Sequence, residues 1–150
     1  MHAHWGDCPG HGSEHTLDGR SYEAELHIVH FNSSKYETPG EAFDQEDGLA
    51  VIGVFLSVGP QDHPEFDKIC KRFVEIQNAK NLVTLEDDID LNNFLPDNRE
   101  FFTYLGSLTT PPLYESVTWM VFRQDVKISQ RQVCIKIKSS IFTLNFFRLT

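Results

Sequence analysis

Apolar and polar positions along the sequence predict most of the secondary structure of this 150-residue chain. They predict strands near residues 1–5, 21–31, 48–58 and 116–122. The third segment is the clearest, because Leu49 to Phe55 is apolar almost throughout, as in a strand buried on both faces. The pattern therefore predicts four strands, one of them in the interior of the protein.

One segment has the period of a helix instead. Pro64 suits a first helical position, and Asp62 or His63 would then cap the helix. From there apolar residues recur at spacings of three and four, which places on one face Phe66, Ile69, Cys70, Phe73 and Ile76. This stripe predicts core packing and no further function.

Composition and charge are those of an ordinary globular domain. The chain is 40% hydrophobic and 23% charged, which permits a packed core, and its length suits one domain. The net charge of -9 disfavours nucleic acid or an anionic membrane as a partner, because both bind basic surfaces. No apolar run approaches the ~18 residues of a membrane span. The sequence thus predicts no nucleic-acid partner and no membrane span.

Three histidines are candidate metal ligands. His2 and His4 are two apart in a predicted strand and so point the same way, as do Glu25 and His27 in the next strand. The turn signal Leu17-Asp18-Gly19-Arg20 lies between the two segments, and an antiparallel return would set His27 opposite the first pair. Three neutral imidazoles at about 2.0–2.1 Å from zinc, with a fourth position open for water, form a catalytic site.

Other histidines offer competing interpretations. His30 falls on the opposite strand face from His27 and is expected to be a core or hydrogen-bonded residue. Cys8-Pro9-Gly10-His11, together with His15, has the two-residue gap of a structural zinc knuckle. A knuckle needs a second closely spaced pair, however, and the histidine pair at the start of the chain is too tight for the usual finger spacing.

Several blocks of the chain share a recognisable order and spacing. They are Trp5-Gly6, Gly12-Ser13-Glu14-His15-Thr16, Ala24-Glu25-Leu26-His27-Ile28-Val29-His30, Asp47 to Leu56 and Phe101 to Trp119. These blocks resemble the alpha-class carbonic anhydrases over about residues 2 to 132. The resemblance implies a mostly β (α+β) fold with a large central, mainly antiparallel twisted sheet and peripheral helices.

The same resemblance predicts an incomplete domain. The first candidate ligand is residue 2, so residues 1–132 would be a partial domain without the family's N-terminal third and its C-terminal strands. Residues 133–150 would be a divergent tail. There Val133 to Lys138 alternates apolar and charged residues at strand period, where the family would have an amphipathic helix. We expect a fragment or a truncated gene model.

The activity that the resemblance implies is that of a zinc-dependent lyase. Carbonic anhydrases reversibly hydrate carbon dioxide to bicarbonate and a proton, with zinc hydroxide as the nucleophile. His2, His4 and His27 would hold the Zn²⁺ ion. Glu25 would accept the free imidazole N–H of His27 and so fix its tautomer.

Glu14 and Thr109 are the implied catalytic residues. Thr109 would accept a hydrogen bond from zinc hydroxide and donate its own hydroxyl to Glu14, which aims the hydroxide at the substrate. Carbon dioxide is uncharged, so its site should be apolar, and the implied substrate residues are Thr109, Thr110, Val29, Val51, Leu108 and Trp119. No proton shuttle is implied, because the family's shuttle histidine precedes the first ligand and His11, His15, His30 and His63 do not match it.

The cysteines favour a cytoplasmic protein. Secreted members of the family commonly carry a cysteine directly after the Thr-Thr-Pro-Pro motif, where this chain has Leu113. An odd number of cysteines, Cys8, Cys70 and Cys134, supports no disulfide framework. We expect a cytoplasmic monomer that acts on a small-molecule substrate.

A catalytically silent binding module or an inactive fragment is the alternative. Silent relatives usually lack one or more ligand histidines, whereas this chain keeps all three together with Glu14 and Thr109, which favours the enzyme. Removing strands from a continuous sheet would leave unpaired backbone edges, so we expect the 150-residue chain by itself to be unstable and poorly active.

Overall fold

The computed structural model describes residues 1–6, 10–73, 89–136 and 142–143. In these ranges the strands are β1 (His2–Trp5), β2 (Ala24–Phe31), β3 (Leu49–Gly59), β4 (Phe101–Gly106), β5 (Val117–Phe122), β6 (Val126–Ser129) and β7 (Phe142–Thr143). The α-helices are α1 (Pro39–Ala42), α2 (Pro64–Phe73) and α3 (Gln130–Lys136), and a 3₁₀ helix covers Leu91–Phe94.

The described strands form one seven-stranded sheet in the order β4-β5-β3-β2-β1-β7, with β6 pairing to the C-terminal end of β3. Strand β3 pairs in parallel with β5 and β6, and all the other pairs are antiparallel. This is the mostly β architecture, with a large and mainly antiparallel sheet, that the sequence analysis predicts.

All four predicted strands are present, as β1, β2, β3 and β5. The turn that the sequence predicts between β1 and β2 is also present. Leu17 and Arg20 exchange two backbone hydrogen bonds of 3.0 Å, and both Asp18 and Gly19 have positive φ, which suits Gly and Asp at such a tip. This turn is the tip of a long loop, so the connection between β1 and β2 is not a tight hairpin. Strands β4 and β6 were not predicted from periodicity.

Helix α2 begins at Pro64, and His63 is its cap. Nδ1 of His63 accepts the backbone N–H of Phe66 at 3.4 Å, which satisfies one of the helix's first free donors. Phe66, Ile69 and Cys70 are buried, as the stripe predicts. The side chain of Phe73 and the whole of Ile76 lie outside the described residues.

Helix α3 occupies part of the segment with strand-period alternation. The buried Gln132 side chain explains the first turn: its Oε1 accepts the N–H of Ser129 at 3.1 Å and that of His63 at 2.9 Å. Its Nε2 donates to the His63 carbonyl at 2.9 Å. These bonds hold the start of α3 against α2. Residues 133–136 are therefore helical, and residues 137 and 138 lie outside the described part.

The sheet is buried on both faces. Ala3, Leu26 and Val54 on one face pack in a cluster with Phe66 of α2 and Phe94 of the 3₁₀ helix. The other face carries a second apolar cluster that includes Val51, Phe55, Val117, Trp119 and Val121. The odd-numbered residues of β2 point to this second face, so the candidate histidines lie beside the second cluster.

Phe55 should be a main contributor to stability on the second face. It is 1% exposed and its ring stacks on Tyr22 at 4.2 Å between centroids. We expect Phe55→Ala to lower the free energy of unfolding by about 3–5 kcal/mol, because it leaves a cavity in a packed core. Urea unfolding followed by circular dichroism measures this loss. Val58→Ala, at a residue 38% exposed on the same strand, is the control and should change stability by less than about 0.5 kcal/mol; equal effects would contradict the assignment.

Strand β4 lies at one edge of the sheet and exposes apolar side chains. Phe101, Phe102, Tyr104 and Leu105 are between 44% and 80% exposed. The strand carries no charged residue, and in the described part of the chain it pairs with β5 alone. An uncharged apolar edge of this kind favours aggregation. No helix in the described ranges is long and apolar enough to cross a membrane.

Candidate active site

The pairing of β1 with β2 brings the three candidate ligands together. His2 lies opposite His27, and His4 lies opposite Glu25. The centroids of the three imidazole rings are 4.9 Å apart for His2 and His4, 5.1 Å for His2 and His27, and 4.8 Å for His4 and His27. The antiparallel return therefore forms the cluster that residue spacing predicts.

Glu25 is a fully buried carboxylate with four hydrogen bonds. Its Oε1 accepts from Nε2 of His27 at 2.7 Å and from Nδ1 of His15 at 2.5 Å. Its Oε2 accepts the backbone N–H groups of Glu14 at 2.9 Å and of His15 at 2.8 Å. Burial alone raises the pKa of Glu25, but the hydrogen bonds from His15 and His27 outweigh it and hold that pKa well below its usual range.

These bonds assign the tautomer of His27. An ionised carboxylate only accepts hydrogen bonds, so the ring nitrogens that face Glu25, Nε2 of His27 and Nδ1 of His15, carry the hydrogens. In neutral His27 the lone pair is then on Nδ1. That atom lies 3.3 Å from Nε2 of His2, on the side of the ring away from Glu25.

The geometry of the cluster fits a metal ion. One nitrogen from each of His2, His4 and His27 lies within 4.8 Å of the other two. Zn–N bonds of about 2.0–2.1 Å at the tetrahedral angle place ligand nitrogens about 3.3–3.4 Å apart, close to the 3.3 Å between His2 and His27. Nε2 of His4 is buried and has no hydrogen-bond partner among the described residues. A bound cation would satisfy it.

The electrostatics of the cluster favour neutral imidazoles. Burial, with the neighbouring His27 and His4 rings, lowers the pKa of His2 to about 4. Burial and the His27 ring also lower the pKa of His4, although Glu14 and Glu25 oppose the shift. Neutral imidazole is the form that binds metal, and three imidazoles are a donor set suited to zinc.

The carboxylate of Glu14 reaches the same cluster. Its Oε2 is 3.3 Å from Nε2 of His4, at an angle that makes no hydrogen bond, and 3.8 Å from Nδ1 of His27. Thr109 is exposed in the loop between β4 and β5. The expected hydrogen bond from Thr109 to Glu14 is not among those formed by the described residues, because the Glu14 carboxylate is turned toward the ring nitrogens. The catalytic role of this pair stays a prediction.

A sequence model of the eukaryotic-type carbonic anhydrases matches residues 1–143. The chain belongs to this family. The match extends into the segment of residues 133–150. Carbonic anhydrase 7 of Mus musculus and of Homo sapiens are each 46% identical over 143 residues, which is 95% of this chain and 53% of theirs. Carbonic anhydrase 1 of Mus musculus is 41% identical over 133 residues, 89% of this chain and 50% of its own. The chain thus spans about half the length of the curated relatives it matches.

An apolar wall adjoins the histidines of this carbonic anhydrase family member. Val29, Val51 and Trp119 are aligned across three neighbouring strands, and Leu108 packs against the same cluster. The ring of Trp119 is 4.8 Å from that of His27. Trp119 Nε1 also donates to the Ser107 carbonyl at 3.0 Å, which holds the start of the following loop. Four of the expected substrate residues therefore lie together beside the three histidines, while Thr109 and Thr110 are exposed.

The competing histidines have other surroundings. His15 donates to Glu25 and contacts the Tyr104 hydroxyl at 2.5 Å, so its ring is occupied, while Cys8 lies outside the described residues. His15, Glu25 and His27 are also close enough to share a metal. However, Oε1 of Glu25 already accepts hydrogen bonds from His15 at 2.5 Å and from His27 at 2.7 Å, so the atoms that would bind the metal are hydrogen-bonded to one another. His30 lies on the opposite face of β2, as expected, but it is exposed rather than buried, because it is next to the end of the strand.

Three neighbours of the site were not predicted. His15 and Tyr104 form hydrogen bonds that reach Glu25, and Gly53 lies opposite His27 on β3. A Cβ at Gly53 would lie 3.2 Å from Oε1 of Glu25, so glycine leaves room for the buried carboxylate. His15 follows Glu14 directly in the sequence, which is the one local signal that pointed to it. Of the cysteines, Cys70 is buried, and the side chains of Cys8 and Cys134 lie outside the described part.

Proposed function

We propose that this chain carries the metal centre of a zinc-dependent carbonate dehydratase, which reversibly hydrates carbon dioxide to bicarbonate and a proton. The observation that supports this best is the convergence of His2, His4 and His27, with Glu25 turning the lone pair of His27 toward the other two rings. Family membership supports the same reaction. Its substrate is a small molecule, and its cytoplasmic and monomeric state stay predictions.

The three histidines would hold the ion, and Glu25 would orient His27. Zinc bound by three histidines lowers the pKa of a water molecule to about 7, a value established on carbonic anhydrase itself. Hydroxide would then be available at neutral pH. The buried bonds of Glu25 keep the His27 ring in place without movement during the reaction, which is the value of a preorganised site.

The second group of residues would present the substrate. Val29, Val51, Leu108 and Trp119 would accept carbon dioxide, since an uncharged linear molecule gains more from an apolar wall than from hydrogen-bond donors. Thr109 would orient the nucleophile with Glu14 as its acceptor, and Thr110 would line the entrance. This role requires a hydrogen bond between Thr109 and Glu14, which is not among those formed by the described residues.

An inactive fragment is the second candidate. Two observations favour it: Thr109 forms no hydrogen bond with Glu14 among the described residues, and strand β4 leaves an apolar edge exposed. A silent binding module is less well supported, because the complete set of ligand histidines would have no use there.

Metal removal tests the proposal. We expect the chain to bind one zinc ion and to hydrate carbon dioxide faster than buffer in a stopped-flow assay with a pH indicator. Dialysis against a chelator should return the rate to the buffer background, and an equivalent of zinc should restore it. An inactive fragment would bind zinc without turnover. A chain that binds no zinc would contradict the proposed function altogether.

A further inference from the structure

A series of three hydrogen bonds connects the protein surface with the cluster of three histidines. It joins the Tyr104 hydroxyl to Nε2 of His15 at 2.5 Å, Nδ1 of His15 to Glu25 at 2.5 Å, and Glu25 to Nε2 of His27 at 2.7 Å. Tyr104 is 44% exposed, whereas His27 is 1% exposed. The series therefore connects an edge strand of the sheet with a buried candidate ligand.

The direction of each hydrogen bond is determined by Glu25. Its carboxylate accepts from Nδ1 of His15, so the other nitrogen of that ring carries a lone pair. The Tyr104 hydroxyl must then donate to it. In the opposite tautomer of His15, a lone pair would face Oε1 of Glu25, and two acceptors would meet in a buried place, which is unfavourable. Glu25 therefore selects the tautomer of His15, and the Tyr104 hydroxyl holds the ring in place by donating to Nε2.

Packing holds the same ring in position. The His15 ring is 4.7 Å from Trp119 and 5.8 Å from Tyr104, edge to face with both. Tyr104 and Trp119 lie opposite each other on β4 and β5, with nearly parallel rings. The pairing of these two strands therefore sets the position of the Tyr104 hydroxyl.

We propose that Tyr104 is a positioning residue for the metal centre. Its hydroxyl holds the ring of His15 in place by a hydrogen bond to Nε2, His15 holds the Glu25 carboxylate, and Glu25 keeps the lone pair of His27 turned toward His2 and His4. Tyr104 touches neither metal nor substrate, and it acts through His15. This inference rests on the proposed function, since it concerns the affinity of the same site for zinc.

The test is Tyr104→Phe in the full chain, which removes one hydroxyl and keeps the ring. We expect zinc affinity, measured by competition with a chelator, to fall several-fold and at most about tenfold, the lower part of the range for groups that support a metal ligand. The visible absorption of the cobalt-substituted protein should also change. Tyr114→Phe is the matched control: Tyr114 is 41% exposed, and its hydroxyl makes no hydrogen bond among the described residues.

A second variant separates positioning from a general structural effect. In His15→Asn, the asparagine side chain can still donate a hydrogen bond to Glu25, but it has no atom at the position of Nε2. Tyr104 then has no acceptor, so adding Tyr104→Phe to this variant should weaken zinc binding no further. Nitrogen-15 chemical shifts of His15 in the metal-free chain should show hydrogen on Nδ1 in both proteins, and the Nε2 shift should change in Tyr104→Phe, where that atom loses its hydrogen bond.

The possible outcomes are distinguishable. Wild-type zinc affinity, cobalt spectrum and Nε2 chemical shift of His15 in Tyr104→Phe would overturn this inference and leave the proposed function intact. Additive losses in the double variant would overturn it as well, because Tyr104 would then act by another route. No zinc binding by the wild-type chain would overturn both.

Discussion

His27→Ala should abolish stoichiometric zinc binding and reduce carbon dioxide hydration to the uncatalysed rate. His27 is 1% exposed, and its Nδ1 faces Nε2 of His2 at 3.3 Å, so its removal takes one of three donors from the site. It also removes a hydrogen-bond donor from the buried Glu25 carboxylate, which is costly in itself. Any rate enhancement by the proposed site would depend on the metal, so none should remain in the variant.

His30→Ala is the matched control for this experiment. His30 is on the same strand, but it faces the other side and is exposed. Its replacement should leave one zinc per chain and the wild-type rate. Metal analysis by mass spectrometry and stopped-flow hydration are measured on the same samples. One zinc per chain in the purified His27→Ala protein would contradict the assignment of this residue as a ligand.

Thr109→Ala should separate the enzyme from a binding module. If Thr109 orients the nucleophile through Glu14, the variant should keep its zinc and lose about 10²-fold in turnover, as is typical when one oriented hydrogen bond is removed from the transition state. The physical reason is that the metal still supplies hydroxide, which is no longer held toward the apolar wall near Val51 and Trp119. Carbon dioxide hydration at pH 8 is measured beside zinc content.

Thr109→Ser is the control that keeps the hydroxyl. It should retain most of the turnover, because serine can accept and donate the same hydrogen bonds. Equal rates in wild type and Thr109→Ala would show that the hydroxyl has no catalytic part. A silent module would have no hydration to lose in any of the three proteins, even with zinc bound.

Local periodicity accounts for the elements that were predicted correctly. Side chains alternate in a strand, so the spacing of His2 and His4, and that of Glu25 and His27, already determines which of them share a face. The apolar run of β3 and the stripe of α2 indicate burial in the same way. Strand β4 was not predicted, because nearly all of its side chains are exposed and buried and exposed positions do not alternate along it. Strand β6 lies beyond the last predicted strand, and its place is set by parallel pairing with the end of β3.

Residues 133–136 show the limit of a pattern. Their alternation suits a strand, yet they are helical, because Gln132 binds Ser129 and His63 and holds the first turn of α3 against α2. His63 lies 69 positions earlier in the chain. Tertiary hydrogen bonds of this kind outweigh a local preference, which contributes less than a buried hydrogen bond does.

The sequence by itself determined which side chains share a face within β1 and within β2, since a period of two suffices for that. It also carried the blocks by which the family was recognised. Only the tertiary structure decided which atoms meet. His15 and Tyr104 are 89 positions apart, and they come within 2.5 Å because β4 pairs with β5, which places Tyr104 beside Trp119. The order of strands in a sheet follows from packing of the whole chain, and no local spacing specifies it.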